Sequence, residues 1–265
     1  MTKEERYKRG WDKLKEVDPE AGDKLINNFK DIAPELGDFI IEHAYGDIYT
    51  RSGLDLKSKE IAVIAALAAL GNAQPQLKNH IIGALNTGSS INEIKEVIFQ
   101  MAVFSGFPNC INAINALIEI LKERKDKGIN DNTGKEATTT LNDDRLLKGE
   151  KDLTILDNLH VERLYSTYNE FAPDLVKFIL EFGYADILSR DNLDKKYRQI
   201  ATIAALTALG NAQSQLKFHI NAGLNIGLTV ENIKEIMILM TIYAGFPAAI
   251  NGTNILKDVV AGRTE

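Results

Sequence analysis

The stretch AALAALGNAQPQLKNHI, ending at Ile81, recurs almost letter for letter as AALTALGNAQSQLKFHI, ending at Ile220, 139 residues further on. The offset holds without a gap in both directions. It carries Arg51 onto Arg190, Gly71 onto Gly210 and Glu96 onto Glu235, and Gly106-Phe107-Pro108 onto Gly245-Phe246-Pro247. Near the N-terminus, Arg6, Gly10 and Leu14 fall on Arg145, Gly149 and Leu153. Roughly half of the positions from Pro34 to Leu117 match their mates, and so long a period marks duplicated domains rather than a solenoid of short units. The chain therefore reads as repeat 1 (1–124), a linker (125–143) and repeat 2 (144–265). The linker, KDKGINDNTGKEATTTLND, is poor in large apolar residues and rich in Gly, Asn, Thr and Lys, which predicts a solvated, flexible connection.

At 265 residues and 45% hydrophobic, each half has enough apolar material for a core of its own. A net charge of −6 argues against a nucleic-acid partner. The charged start MTKEERYKRG leads into no apolar signal region, and Ile61–Leu70 is too short to span a bilayer, so no membrane partner and a cytoplasmic location are expected. The single cysteine, Cys110, rules out an intrachain disulfide and any CxxC motif. Neither HExxH, a P-loop nor GxGxxG occurs, so no metal or nucleotide cofactor is expected.

Local signals predict an all-α fold. Asp18-Pro19 and Ala33-Pro34 each start a helix, the second running to about Thr50. Asp55 caps a helix that Gly71 stops, a further helix covers about Gln74 to Thr87, and Ser90-x-x-Glu93 is a capping box for a helix ending at Gly106. Pro108 starts the last helix of the repeat. Ile61–Leu70 is apolar on every side and belongs inside a bundle. No segment alternates with period two, so no sheet is expected.

Within this frame four pairs of residues could carry chemistry. His80 and His219 sit among Leu77, Ile81 and Ala84, and Leu216, Ile220 and Gly223, where an imidazole is either a hydrogen-bonded core group or an acid/base. Glu96 and Glu235 share a helix stripe with Phe99 and Val103, or Ile238 and Ile242. They are either carboxylates raised in pKa by apolar neighbours or plain surface residues. Arg51 and Arg190 close a long helix, either binding its last carbonyls or clamping a carboxylate. Gln76 and Gln215, one turn before the histidines, are placed to orient the imidazoles. Cys110, with Ala249 as its mate, reads as a small buried filler.

The stretch from GDIYTRSGLDLKSKEIAVIAALAALG through L-K-x-H, A-L-x-x-G and E-I-K-E to S-G-F-P resembles the γ-carboxymuconolactone decarboxylase family. The second copy, ADILSRDNLDKKYRQI to Y-A-G-F-P, is similar to it as well. The resemblance implies two tandem alkylhydroperoxidase D-like helical domains, assembled with other chains as a homo-oligomer, a trimer for a two-domain chain. It also implies decarboxylation, without a cofactor, of a small carboxylated unsaturated lactone. His80 and His219 would then donate protons or stabilise the oxyanion, Glu96 and Glu235 would supply the acid or set histidine protonation, and Arg51 and Arg190 would bind carboxylate. Gln76, Gln215, Arg198 and Tyr243 complete the expected binding set. Two alternatives are a thiol antioxidant protein, disfavoured because Ala73, Gln76, Ala212 and Gln215 stand where the peroxidase branch has cysteines, and a non-catalytic ligand-binding scaffold. The copies differ at Lys59/Arg198 and Phe104/Tyr243, which favours the second copy if one alone is active.

Overall fold

The structure, a computed structural model, describes residues 2–138 and 144–264. Among these, fourteen α-helices and two π-helical segments occur, and no strand. Repeat 1 contributes α1 (Lys3–Val17), α2 (Ala21–Phe29), α3 (Pro34–Phe39), α4 (Leu56–Leu70), α5 (Gln74–Asn86), α6 (Ile91–Phe104) and α7 (Phe107–Asp126). Repeat 2 answers with α8 (Arg145–Leu156), α9 (His160–Tyr168), α10 (Pro173–Phe178), α11 (Lys195–Leu209), α12 (Gln213–Asn225), α13 (Val230–Tyr243) and α14 (Gly245–Thr264). The expected all-α class and the tandem arrangement are both present.

The local signals act as their chemistry dictates. Asp55 accepts a hydrogen bond from the Ser58 amide at 2.7 Å, and Ser90 with Glu93 forms the full capping box. Gly71 and Gly210 end α4 and α11 in the left-handed region, at φ of 70° and 69°, where a Cβ would be strained. Two boundaries differ from expectation. Asp18 caps a turn through the Glu20 amide, so α2 begins only at Ala21. The helix from Pro34 also changes character, its second half, Ile40–Tyr49, being π-helical, and the same change recurs at Ile179–Leu188. These wider segments pack closely against α1 and α8. A Cβ on Gly10 would lie 1.9 Å from the Ile41 carbonyl oxygen, and one on Gly149 would lie 2.0 Å from that of Leu180.

The centre of the molecule is the α4–α11 pair, the most extensive helix contact in the fold. Both are apolar nearly all round, so both can be buried from every side, and one continuous core runs from Ile61 and Ile64 through Ile203 to Met240. Around this axis each repeat also reaches across with one helix. Helix α6 packs on α4 of its own repeat and on α11 and the second π-helical segment, and α13 packs on α11 of its own repeat and on α4 and the first π-helical segment.

The stretch expected to be flexible is exposed but tethered over 131–138. Asn132 and Thr133 carbonyls accept from the Ile91 and Asn92 amides, Arg124 holds Asp131, and Lys135 and Thr138 bind Asp191 of repeat 2. These polar side chains find partners on the repeats, which composition alone does not reveal. Residues 139–143 of the expected linker lie outside the described residues.

Candidate active site

Helix α4 carries a carboxylate, Glu60, immediately before its all-apolar run, and the side chain is fully buried. Its Oε2 lies 2.8 Å from Nδ1 of His80 on α5, itself only 7% exposed. A buried carboxylate requires a partner, and the imidazole supplies one while its Nε2 stays free for other work. Tyr49, from the π-helical segment, stacks on His80 with ring centres 6.5 Å apart. Tyr243, at the end of α13 in the other repeat, meets the His80 ring edge-on at 5.0 Å. The two phenols pair at 3.0 Å, oxygen to oxygen, and Tyr45 packs on Tyr49. Burial pushes both phenol pKa values up, so Tyr49 and Tyr243 remain neutral hydrogen-bond donors at physiological pH.

A charged cluster adjoins this site, with Tyr49 as the bridge. The buried ammonium of Lys59 donates to the Tyr49 carbonyl at 2.8 Å and to the Arg51 carbonyl at 2.5 Å. Burial lowers the Lys59 pKa to about 8. Arg51 clamps Glu235 of repeat 2 through Nε and Nη2, at 3.0, 2.9 and 2.6 Å. Glu235 and Tyr243 are eight residues apart on α13, a rise of about 12 Å, so the clamp and the imidazole flank Tyr49 from two sides.

The duplicated site is built by the same crossing with different side chains. Arg190 and Arg198 of repeat 2 both bind Glu96 of repeat 1, at 2.9 and 3.0 Å, and the Asn192 amide adds a third donor at 3.0 Å. His219 meets Gln199 rather than a carboxylate, at 2.9 Å. Phe104 takes the place of Tyr243 over the ring, at 5.3 Å, and Leu188 stands where Tyr49 does. With no charged partner, burial lowers the His219 pKa to about 3.

A Carboxymuconolactone decarboxylase family model matches residues 34–119 and 173–258, one span in each repeat. The chain belongs to that family. Among curated proteins of the family, the 4-carboxymuconolactone decarboxylase of Acinetobacter baylyi is 33% identical over 105 residues, covering 40% of this chain and 78% of its own. A nitrosuccinic acid decarboxylase from Metarhizium robertsii is 32% identical over 91 residues, 34% of this chain and 63% of that protein. An uncharacterised 15.0 kDa protein of Paracoccus denitrificans is 30% identical over 115 residues, 43% and 81% respectively.

Within this family member the expected residues divide into separate groups. Glu96 and Glu235 are buried, not on the surface, and bond arginines of the opposite repeat; the histidines take Glu60 and Gln199 instead. Gln76 and Gln215 are exposed and do not orient the imidazoles, because Nδ1 of each ring turns inward towards the central helix. The helix-end carbonyls expected of Arg51 go to Lys59, which frees Arg51 for the carboxylate clamp. Arg198 and Tyr243 do not serve one site. Arg198 bonds Glu96 beside repeat 2's own Arg190, and Tyr243 reaches over to His80 of repeat 1. Cys110 is buried, as its mate Ala249 is, and burial raises its thiol pKa. Glu60 and Tyr49 escaped sequence reasoning. A Glu set directly ahead of the apolar run Ile61–Leu70 was the available signal for Glu60.

Proposed function

We propose that this chain decarboxylates a small carboxylated unsaturated lactone without a cofactor, at the site formed by Glu60, His80, Tyr49 and Tyr243. The observation that carries the reading is the Glu60–His80 pair beneath two mutually bonded tyrosines, in a chain of the carboxymuconolactone decarboxylase family. Two named relatives support the class. One is a decarboxylase of a carboxylated lactone and the other of a nitro acid, both acids with a built-in electron sink.

In the proposed reaction the bond from carbon to carboxylate breaks and CO2 leaves. The electron pair passes through the conjugated alkene onto the lactone carbonyl oxygen. Of the two mutually bonded phenols, one O–H donates to its neighbour and the other donates to this developing oxyanion, the usual work of a preorganised donor. His80, held through Nδ1 by Glu60, delivers a proton from Nε2 to carbon and the carbonyl re-forms. Solvent resupplies the proton, so one is consumed per turnover. Arg51 and Lys59 are the cations beside Tyr49, and they are the groups placed to attract the carboxylate of an acid substrate. The chain acts as a homo-oligomer, a trimer of two-repeat subunits.

The test measures CO2 release from 4-carboxymuconolactone and related lactones. Glu60→Gln and His80→Ala are each expected to lower kcat by about 100-fold or more, the range of a lost general acid. Undiminished turnover in His80→Ala would remove the histidine from the mechanism. The buried, high-pKa thiol of Cys110 gives no support to a peroxidase reading.

A further inference from the structure

The two composite sites have the same ancestry and different chemistry. At each position touching the imidazole, the second site replaces a proton-handling group with one that cannot do that work. Glu60 becomes Gln199, Tyr49 becomes Leu188, and Tyr243 is answered by Phe104. His219 is closed in by Phe104 from α6 and Phe218 from its own helix, at 5.3 and 4.9 Å, with Gln199 from α11 on Nδ1. The titratable neighbour is His160, stacked on Phe218 at 3.8 Å, and like-charge repulsion from it opposes protonation of His219 further.

The charged half of that site differs the other way, with deeper burial and more residues bonding the carboxylate. At the first site Glu235 is held by Arg51, whose side chain is 42% exposed, while Lys59 turns away to backbone carbonyls. At the second, Glu96 takes bonds from two arginines and an asparagine, and Arg198 is buried as deeply as its partner. Gln100, on the same helix as Glu96, adds a bond to the Arg198 carbonyl at 3.2 Å. Glycine has also been exchanged for the third donor: a Cβ at Gly53 would lie 2.4 Å from Cγ of Glu235, whereas Asn192 reaches Glu96.

We infer that the chain divides its duplicated site by function: proton transfer belongs to the His80 site alone, and the His219 site is a buried clamp that joins the repeats through Glu96, Arg190 and Arg198. This assignment rests on the decarboxylase reading for what the His80 site does, but not for what the His219 site lacks. It also reverses the preference for the second repeat drawn from Arg198 and Tyr243. Tyr243 belongs to the working site and Arg198 to the clamp.

The full-length chain tests it. His80→Ala and His219→Ala, each checked for folding by circular dichroism, are compared for CO2 release from 4-carboxymuconolactone. The expected result is a loss of about 100-fold or more in the first and less than about threefold in the second. Equal losses, or a larger one at His219, overturn the assignment. A substrate-free readout separates the two readings. In 15N-histidine NMR, His219, assigned through its substitution, is expected to hold one neutral tautomer from about pH 5 to 8, the range in which an ordinary imidazole titrates. Titration within that range overturns the inference, whereas a neutral His219 in a chain that releases no CO2 sinks the decarboxylase reading alone. For the clamp, Glu96→Ala is expected to lower Tm more than Glu235→Ala, and the opposite order overturns it.

Discussion

His219 gives the molecule a pH dependence whose sign follows from its burial. Its folded pKa, about 3, lies below the ordinary imidazole value of 6.5, so the unfolded chain binds the extra proton first. The stability this neutral ring contributes is complete above pH 6.5 and is lost as pH falls through that value towards 3. Replacing His219 by Gln should therefore flatten the decline of Tm on acidification, by up to about one proton's worth of slope. Thermal unfolding at a series of pH values measures this, and an unchanged slope would show that the ring is not held neutral. Tyr243 permits a second measurement at this scale. Tyr243→Phe removes one donor from the pair over His80 and leaves packing nearly intact, so kcat should fall by about 10- to 1,000-fold with little change in Tm. A phenylalanine at that position is what the second site already has in Phe104, so the variant makes the first site resemble the second.

At the scale of elements, two close approaches brace the two π-helical segments, the first of which carries Tyr45 and Tyr49. Helix α1 touches the first through Gly10, where any side chain would run into the Ile41 carbonyl. Gly10→Ala should cost about 1–3 kcal/mol, as overpacking does, and should lower turnover as well because α1 braces the segment under Tyr49. Gly262→Ala, in α14 with open space around it, is the matched control and should be neutral or slightly stabilising. Chemical denaturation of the two variants makes the comparison. Much of this level was legible beforehand. Asp55, Gly71, Ser90 and Glu93 are local devices, and local chemistry predicts what they do. The π-helical register was not legible, because it is a shift of backbone hydrogen bonds by one residue that no residue type in 40–49 specifies.

Over the whole molecule, the crossing of α6 and α13 makes both sites composite, and apolar rings are exposed in both repeats. Phe39, Phe178 and Phe246 are exposed, His43 lies against Phe246, and exposed Phe107 packs on Phe182. Apolar rings presented by both repeats of one chain suit association of several copies. Light scattering is expected to return a trimer, and Phe39→Asp with Phe178→Asp to return monomers; a wild-type monomer would refute this. By itself the sequence determined the duplication, the helical class, the caps and stops, and the family, since all of these are written in neighbouring residues or in the 139-residue offset. It could not decide which Arg meets which Glu. Pairing within a repeat would join residues 45 apart, whereas the pairs that form are 184 and 94 residues apart, and no local pattern points to such distant partners. Only the burial of α4 against α11, which brings α13 to Arg51 and α6 to Arg190, chose the crossed arrangement. That choice placed Tyr243 over His80 and Phe104 over His219. Which side chains meet each histidine was therefore decided by packing between the repeats, where apolar area is buried without regard to sequence separation.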